Sequence, residues 1–225
     1  MPMKTLSLVL IIFTSVSLVK AANTHPPSQP KTFLALGDSY TIGEGVNENS
    51  RWPNQLIAEL NKDKQQFEKP TILAKTGWTT DELLHALDTA SLETTYDYVS
   101  LLIGVNNQYR KRTVTSFEPE FTALLSRAIA FANNNTKKVF VLSIPDWGVT
   151  PFAKDRDSEK IAEEIAAYNT AIEHICDEKG VTFFDITPIS KRALNNPDYL
   201  ADDQLHPSAK MYAEWVAEIQ SFFNE

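Results

Sequence analysis

The stretch FLALGDSYTIGEG, running from Phe33 to Gly45, decides how this chain is read. Four apolar residues, Phe33 to Leu36, pass without alternation into Gly37-Asp38-Ser39, and Gly43 and Gly45 follow close behind. A strand with one wet face alternates apolar and polar side chains, whereas a strand covered on both faces does not. The run therefore reads as a strand inside a parallel sheet. It stops where glycine lets the backbone turn, and Ser39 is the first hydroxyl past that turn.

Comparable apolar runs recur along the chain. Candidate strands are Thr32 to Gly37, Thr71 to Lys75, Tyr98 to Ile103, Lys138 to Ile144 and Val181 to Asp185. Amphipathic segments of helical length alternate with them: Trp52 to Asn61, Asp81 to Ala90, Phe117 to Ala132, Ser158 to Lys179 and Pro207 to Phe223. This alternation predicts an α/β fold with right-handed crossovers and helices on both faces of a parallel sheet. Thr79 followed by Glu82 has the form of a capping box opening the second helix. Pro207 suits the first turn of the last helix, which would put His206 at a helix entrance. There the helix dipole disfavours the charged imidazole. Cys176, the only cysteine, follows the stripe Ile161, Ile165, Tyr168, Ile172 and Ile175, so a small buried thiol is expected and no internal disulfide is possible.

A chain of 225 residues, 43% hydrophobic and 22% charged, suffices for one domain with a sizeable core. Lys4, the apolar run Leu6 to Val19, and the small Ala21 and Ala22 read as a cleaved secretory signal over residues 1–22, with an uncleaved anchor as the alternative. Three prolines mark residues 23–30 as an extended linker, leaving 31–225 as the domain. The expected location is secreted or periplasmic. Loss of Lys4 and Lys20 leaves 19 basic against 29 acidic residues, a formal charge of −10, which argues against nucleic acid as a partner.

Ligands of open parallel sheets bind outside the carboxyl ends of the strands, so the loops after each strand are where chemistry belongs. A serine hydroxyl needs a base, an orienter for that base and donors for an oxyanion before it can attack a carbonyl. Those loops offer all of them: Ser39 as nucleophile, His206 as base, Asp203 as orienter, and the Ser39 N–H, Gly77 N–H and Asn106 amide as oxyanion donors. His25 lies in the linker, and His85 and His174 fall within helical patterns. Asp202 is a neighbour able to take the part of Asp203. A plain turn at Gly37-Asp38-Ser39 and a helix-start role for Asp203 and His206 are the bland alternatives; the joint order of the parts after successive strands outweighs them. A metal site built from Asp38, Asp203 and His206 has no paired ligand spacing, so no metal or other cofactor is expected.

These residues resemble the four sequence blocks of the SGNH, or GDSL-type, hydrolase superfamily. The blocks are Gly37-Asp38-Ser39-Tyr40, Gly77 within KTGWTT, Gly104-Val105-Asn106-Asn107 and Asp203-Gln204-Leu205-His206-Pro207. The resemblance implies a flavodoxin-like three-layer α/β/α sandwich on five parallel strands, and hydrolysis of carboxylic esters through an acyl-serine, on lysophospholipids or other acyl esters. It assigns Ser39, His206 and Asp203 the catalytic roles and Gly77 and Asn106 the oxyanion. Tyr40 and Asn107 depart from the usual block residues and are expected to shape the pocket wall. Trp147 and Phe152, in IPDWGVTPF, are read either as lining an acyl groove or as packing. The partner is thus a small-molecule ester, with lipid or glycan contact open. A carbohydrate O-acetylesterase and a non-catalytic envelope glycan or lipid binder are the competing readings.

Overall fold

The computed structural model describes residues 1–2 and 29–224, so the signal and most of the linker lie outside the described residues. Five strands appear where continuous apolar runs predict them: β1 Phe33–Gly37, β2 Thr71–Ala74, β3 Tyr98–Leu102, β4 Val139–Leu142 and β5 Thr182–Phe184. All pair in parallel in the order β2-β1-β3-β4-β5. Every residue of β1, β3 and β4 is buried, whereas the edge strands β2 and β5 are half-buried, as position in the sheet requires.

Among the described residues, eight α-helices follow in chain order: α1 Ser39–Ile42, α2 Trp52–Lys62, α3 Thr80–Thr89, α4 Val105–Tyr109, α5 Val114–Phe131, α6 Ser158–Lys179, α7 Thr187–Lys191 and α8 Ala209–Ile219. Helix α2 packs on α8, while α5 packs between α3 and α6, giving two helical layers around the sheet. On the α2 side, Phe33 and Phe140 project from β1 and β4 against Trp52 at 6.1 and 6.3 Å between ring centroids. On the α5 side, Phe117 meets Tyr168 of α6 at 4.8 Å. Trp52 is fully buried, and truncating such a residue typically costs about 3–5 kcal/mol, so its place is the core. Cys176 is also fully buried, and burial pushes its thiol up to about 12.

Three details differ from the sequence reading. Helix α5 begins at Val114, earlier than Phe117, because Thr113 Oγ1 accepts from the Ser116 N–H at 3.1 Å and caps the helix there. Helix α8 begins at Ala209 with Ser208 as its cap, so Pro207 is outside it and pairs instead with Leu200 in an antiparallel bridge. His206 consequently stands in a closed loop, two residues before the Ser208 cap, rather than directly at a helix entrance. The short α1, α4 and α7 are additional to the five helices expected.

The order of the strands sets the location of the site. After β1 the chain moves to β2 on one side and then crosses to β3 on the other, opening a crevice at the carboxyl ends of β1 and β3. Gly37 makes this junction possible: a Cβ there would stand 2.4 Å from the Leu102 carbonyl oxygen and 2.2 Å from Thr41 Oγ1.

Candidate active site

Ser39 opens α1 directly after β1, with Asp38 as the cap whose Oδ1 accepts from the Tyr40 N–H at 3.0 Å. Asn106 lies in α4 directly after β3, and Gly77 follows β2. From the far end of the chain, the loop after Leu200 brings His206. One cleft of about 180 Å³ is lined by Ser39, Gly77, Asn106 and His206, with Tyr40, Trp147 and Phe152 on its walls. Thr76, Val105, Tyr109 and Leu205 also line it, and none of these was expected. Tyr109 was detectable in principle: it lies three residues beyond Asn106, on the same face of a helix.

The loop carrying His206 is closed on itself. The Ala201 N–H donates to the His206 carbonyl at 2.8 Å, the Gln204 N–H to Ala201 at 2.9 Å, and Leu200 bridges Pro207. Gln204 takes a left-handed φ of 60° at the tip. That turn points Asp203 back at the histidine. His206 Nδ1 lies 2.6 Å from Asp203 Oδ2, and Asp203 Oδ1 accepts the backbone N–H groups of Leu205 at 3.0 Å and His206 at 2.9 Å. Among the described residues, Asp203 and not Asp202 contacts the ring. Partial burial pushes the Asp203 carboxyl up, but the ring and the two N–H donors outweigh it and hold the group below its ordinary value. The carboxylate is therefore charged near neutral pH, and Nδ1–H is its donor, leaving Nε2 as the free acceptor.

The loop is seated on the end of the opening stretch. A Cβ on Gly45, whose φ is 80°, would stand 2.8 Å from Ala201 Cβ and 3.4 Å from Asp203 Oδ2. Beneath the histidine, the Tyr40 ring meets the imidazole edge-on at 5.6 Å, and the Tyr212 hydroxyl donates to the Tyr40 carbonyl at 3.0 Å. Tyr40 is thus a buried floor under the imidazole. Asn107 does not reach the cleft. It is fully buried, its Oδ1 accepting from the Thr80 N–H at 3.1 Å and its Nδ2 donating to Thr80 Oγ1 at 2.6 Å, so it ties α4 to α3. Consecutive residues of a helix point about 100° apart, and Asn106 takes the cleft side.

The two remaining loop positions also separate. Trp147 is buried and its Nε1–H donates to Gln108 Oε1 at 2.9 Å, so it both packs and lines the cleft, whereas Phe152 is 43% exposed. Asn106 Nδ2 donates to the Trp78 carbonyl at 3.0 Å, and Gly77 is held by its own carbonyl, which accepts from Arg110 at 2.7 Å. Among the described residues, no acceptor meets the backbone N–H of Ser39 or Gly77, and no hydrogen bond joins Ser39 Oγ to His206. Nucleophile–base bonds of this kind commonly tighten only when substrate binds.

Asp38, next to Ser39, is fully buried; its Oδ2 has no partner among the described residues, and burial pushes the carboxyl from 3.8 to about 7 against the opposing pull of the Tyr40 N–H. The unfolded chain gives up this proton near its ordinary value, while the folded chain keeps it to about 7. Between those values the folded state binds more protons, so stability falls as pH rises, by about 4 kcal/mol across the window. Asp146, also raised by burial, adds to the same slope; the lowered Asp203 acts at more acid pH with the opposite sign. The urea midpoint is expected to rise on going from pH 8 to pH 4.5, and Asp38→Asn to flatten that rise; an unchanged slope would show that Asp38 is ionised in the folded protein.

The fold has many solved counterparts. TesA superposes with a TM-score of 0.68 at 15% identity, over 85% of this chain and 97% of that one. Axe2, an acetylxylan esterase from Geobacillus stearothermophilus, gives 0.64 at 17% identity, over 88% of this chain and 96% of the other. The psychrotrophic esterase EstA from Pseudoalteromonas sp., in a structure inhibited by monoethylphosphonate, gives 0.63 at 17% identity, over 87% and 100%. No curated protein sequence matches the chain. The GDSL-like Lipase/Acylhydrolase family model matches residues 35–214, from inside β1 to α8, and so takes in every strand and every loop that reaches the cleft; the chain therefore belongs to that family and is a carboxylic ester hydrolase.

Proposed function

We propose an exported serine esterase that works through an acyl-serine, with Ser39 as nucleophile, His206 as base and Asp203 as the residue that orients it. The observation carrying this reading is the single cleft shared by Ser39, Gly77, Asn106 and His206, with the 2.6 Å bond from His206 to Asp203 behind it. His206 Nε2 takes the Ser39 proton as Oγ bonds to the carbonyl carbon. The resulting oxyanion is met by the Ser39 and Gly77 N–H groups and by the second amide hydrogen of Asn106. His206 then gives that proton to the leaving oxygen as its bond to the carbonyl carbon breaks, so that the alcohol departs and the imidazole is neutral again. Water repeats the sequence: it bonds to the acyl carbon, one of its protons passes to His206 and on to Ser39 Oγ as the acyl–oxygen bond breaks, and the carboxylic acid is released and ionises in solution. Each oxyanion donor of this kind is worth about a hundred- to a thousandfold, so Asn106→Ala is expected to lower kcat by that factor with little change in KM.

A cleft of about 180 Å³ is smaller than the roughly 300–1,000 Å³ usual for drug-sized ligands, which supports a short acyl group. The same smallness favours the second reading, an O-acetylesterase acting on a sugar, over a long-chain lysophospholipase. Export rests on the apolar run before residue 23, and N-terminal sequencing of protein recovered outside the cytoplasm tests it. For the chemistry, an organophosphonate should label Ser39, as located by peptide mass spectrometry. Absence of the adduct in folded protein would leave a binding module. Across p-nitrophenyl esters from acetyl to palmitoyl, kcat/KM should be highest at the short end.

A further inference from the structure

A second and larger basin lies against the catalytic cleft. Its volume is about 590 Å³, and Tyr109 and Trp147 line both spaces, so the two share an aromatic wall. The Arg156 guanidinium lies across this wall, at 5.0 Å from the Tyr109 ring, 5.3 Å from Trp147 and 5.7 Å from Phe152, and donates to the Tyr109 hydroxyl at 3.0 Å. Gln108 braces the wall from behind, accepting from Trp147 Nε1 and donating to Glu164 at 2.7 Å.

The basin is basic on a chain of formal charge −8. Lys111, Arg112, Arg156 and Lys160 line it against only Asp157 and Glu164. Both carboxylates are engaged: Asp157 accepts the Lys160 N–H at 3.0 Å to cap α6, and Glu164 takes Gln108 and stands 3.9 Å from the Lys160 ammonium. Arg112 is committed to Asp81 at 2.5 Å, outside the basin. Lys111 and Arg156 make no ion pair among the described residues. Two cations without a carboxylate partner, Lys111 and the wall-stacked Arg156, thus face a space of ordinary ligand size, next to a cleft that holds little more than a short acyl group.

Building on the esterase reading above, we infer that this basin receives the part of the substrate beyond the scissile ester, and that this part carries an anionic group, a phosphate or a carboxylate, met by Arg156 and Lys111. The aromatic wall packs against the body of the same group. A charge-assisted hydrogen bond of this kind contributes enough to change affinity by about tenfold or more.

The test uses two matched pairs with the full chain: butanoylglycerol 3-phosphate against butanoylglycerol, and an O-acetylated glucuronate against the same O-acetylated glucose. KM is measured for each, or Ki against p-nitrophenyl butanoate where a compound is not turned over. The anionic member of at least one pair is expected to have the lower constant, by about tenfold at low ionic strength, with the advantage shrinking in salt. The pair that shows it separates phosphate from carboxylate as the source of charge. Arg156→Gln and Lys111→Gln should each reduce the advantage, Arg156→Lys should restore part of it, and Lys111→Gln disturbs no ring of the wall. Equal constants within both pairs, or an advantage that persists in the double variant, would overturn the inference. Failure of the esterase reading looks different: no p-nitrophenyl ester is hydrolysed and no phosphonate adduct forms at Ser39.

Discussion

Ser39→Ala is expected to lower kcat for p-nitrophenyl butanoate by about a millionfold, while the thermal midpoint stays close to that of the unaltered protein. Removing the nucleophile from a serine hydrolase abolishes the covalent route and leaves only binding and oxyanion stabilisation, which together still exceed water by about 10³–10⁴. The fold should not notice the change. Ser39 Oγ makes no hydrogen bond among the described residues, and the contacts that build α1 come from its carbonyl, which accepts the N–H groups of Gly43 at 3.0 Å and Glu44 at 3.1 Å. Steady-state kinetics with a burst assay for the acyl-enzyme checks the chemistry, and a melting curve checks the fold. A variant retaining a tenth of the original rate would mean that another nucleophile acts.

The second large effect is at the carboxylate. Asp203→Asn should lower kcat by about 10⁴-fold, because an amide N–H facing Nδ1 selects the wrong imidazole tautomer while leaving the size of the group unchanged. Asp202→Asn is the control, since Asp202 is exposed and does not contact His206 among the described residues. Its turnover should stay within about a factor of three, as expected for a surface change that touches nothing. Equal losses in both variants would show that the charge of the loop, rather than its hydrogen bond, supports the base.

The sheet was legible because each strand is a short, continuously apolar run, and the long helices because their apolar faces repeat over several turns. Helices α1, α4 and α7 were not, being too short for any periodicity and held in place by the strands and loops they adjoin. What local sequence misplaced, as with Pro207 and Asn107, or left open, as with Asp202 beside Asp203, is decided by contacts made only in the folded chain. Pro207 fits a first helical turn by its own chemistry, but the antiparallel bridge to Leu200 claims it. Asn106 and Asn107 are equivalent on paper, and only the rotation of α4 sends one to the cleft and the other into the core. The choice between Asp202 and Asp203 hangs on a single left-handed residue, Gln204. The basic basin was invisible for a further reason: its cations come from the turn after α4, the segment before α6 and α6 itself, three places that nothing in their local sequence links.

Gly45 gives the opening stretch a second role. The segment that carries Ser39, the proposed nucleophile, also ends in the seat for the ring of backbone that carries His206 and Asp203. The two halves of the proposed reaction centre therefore share a mechanical reference point, although about 160 residues separate them in the chain. Any side chain at that seat would act as a wedge, changing the gap between hydroxyl and imidazole while leaving each half internally intact.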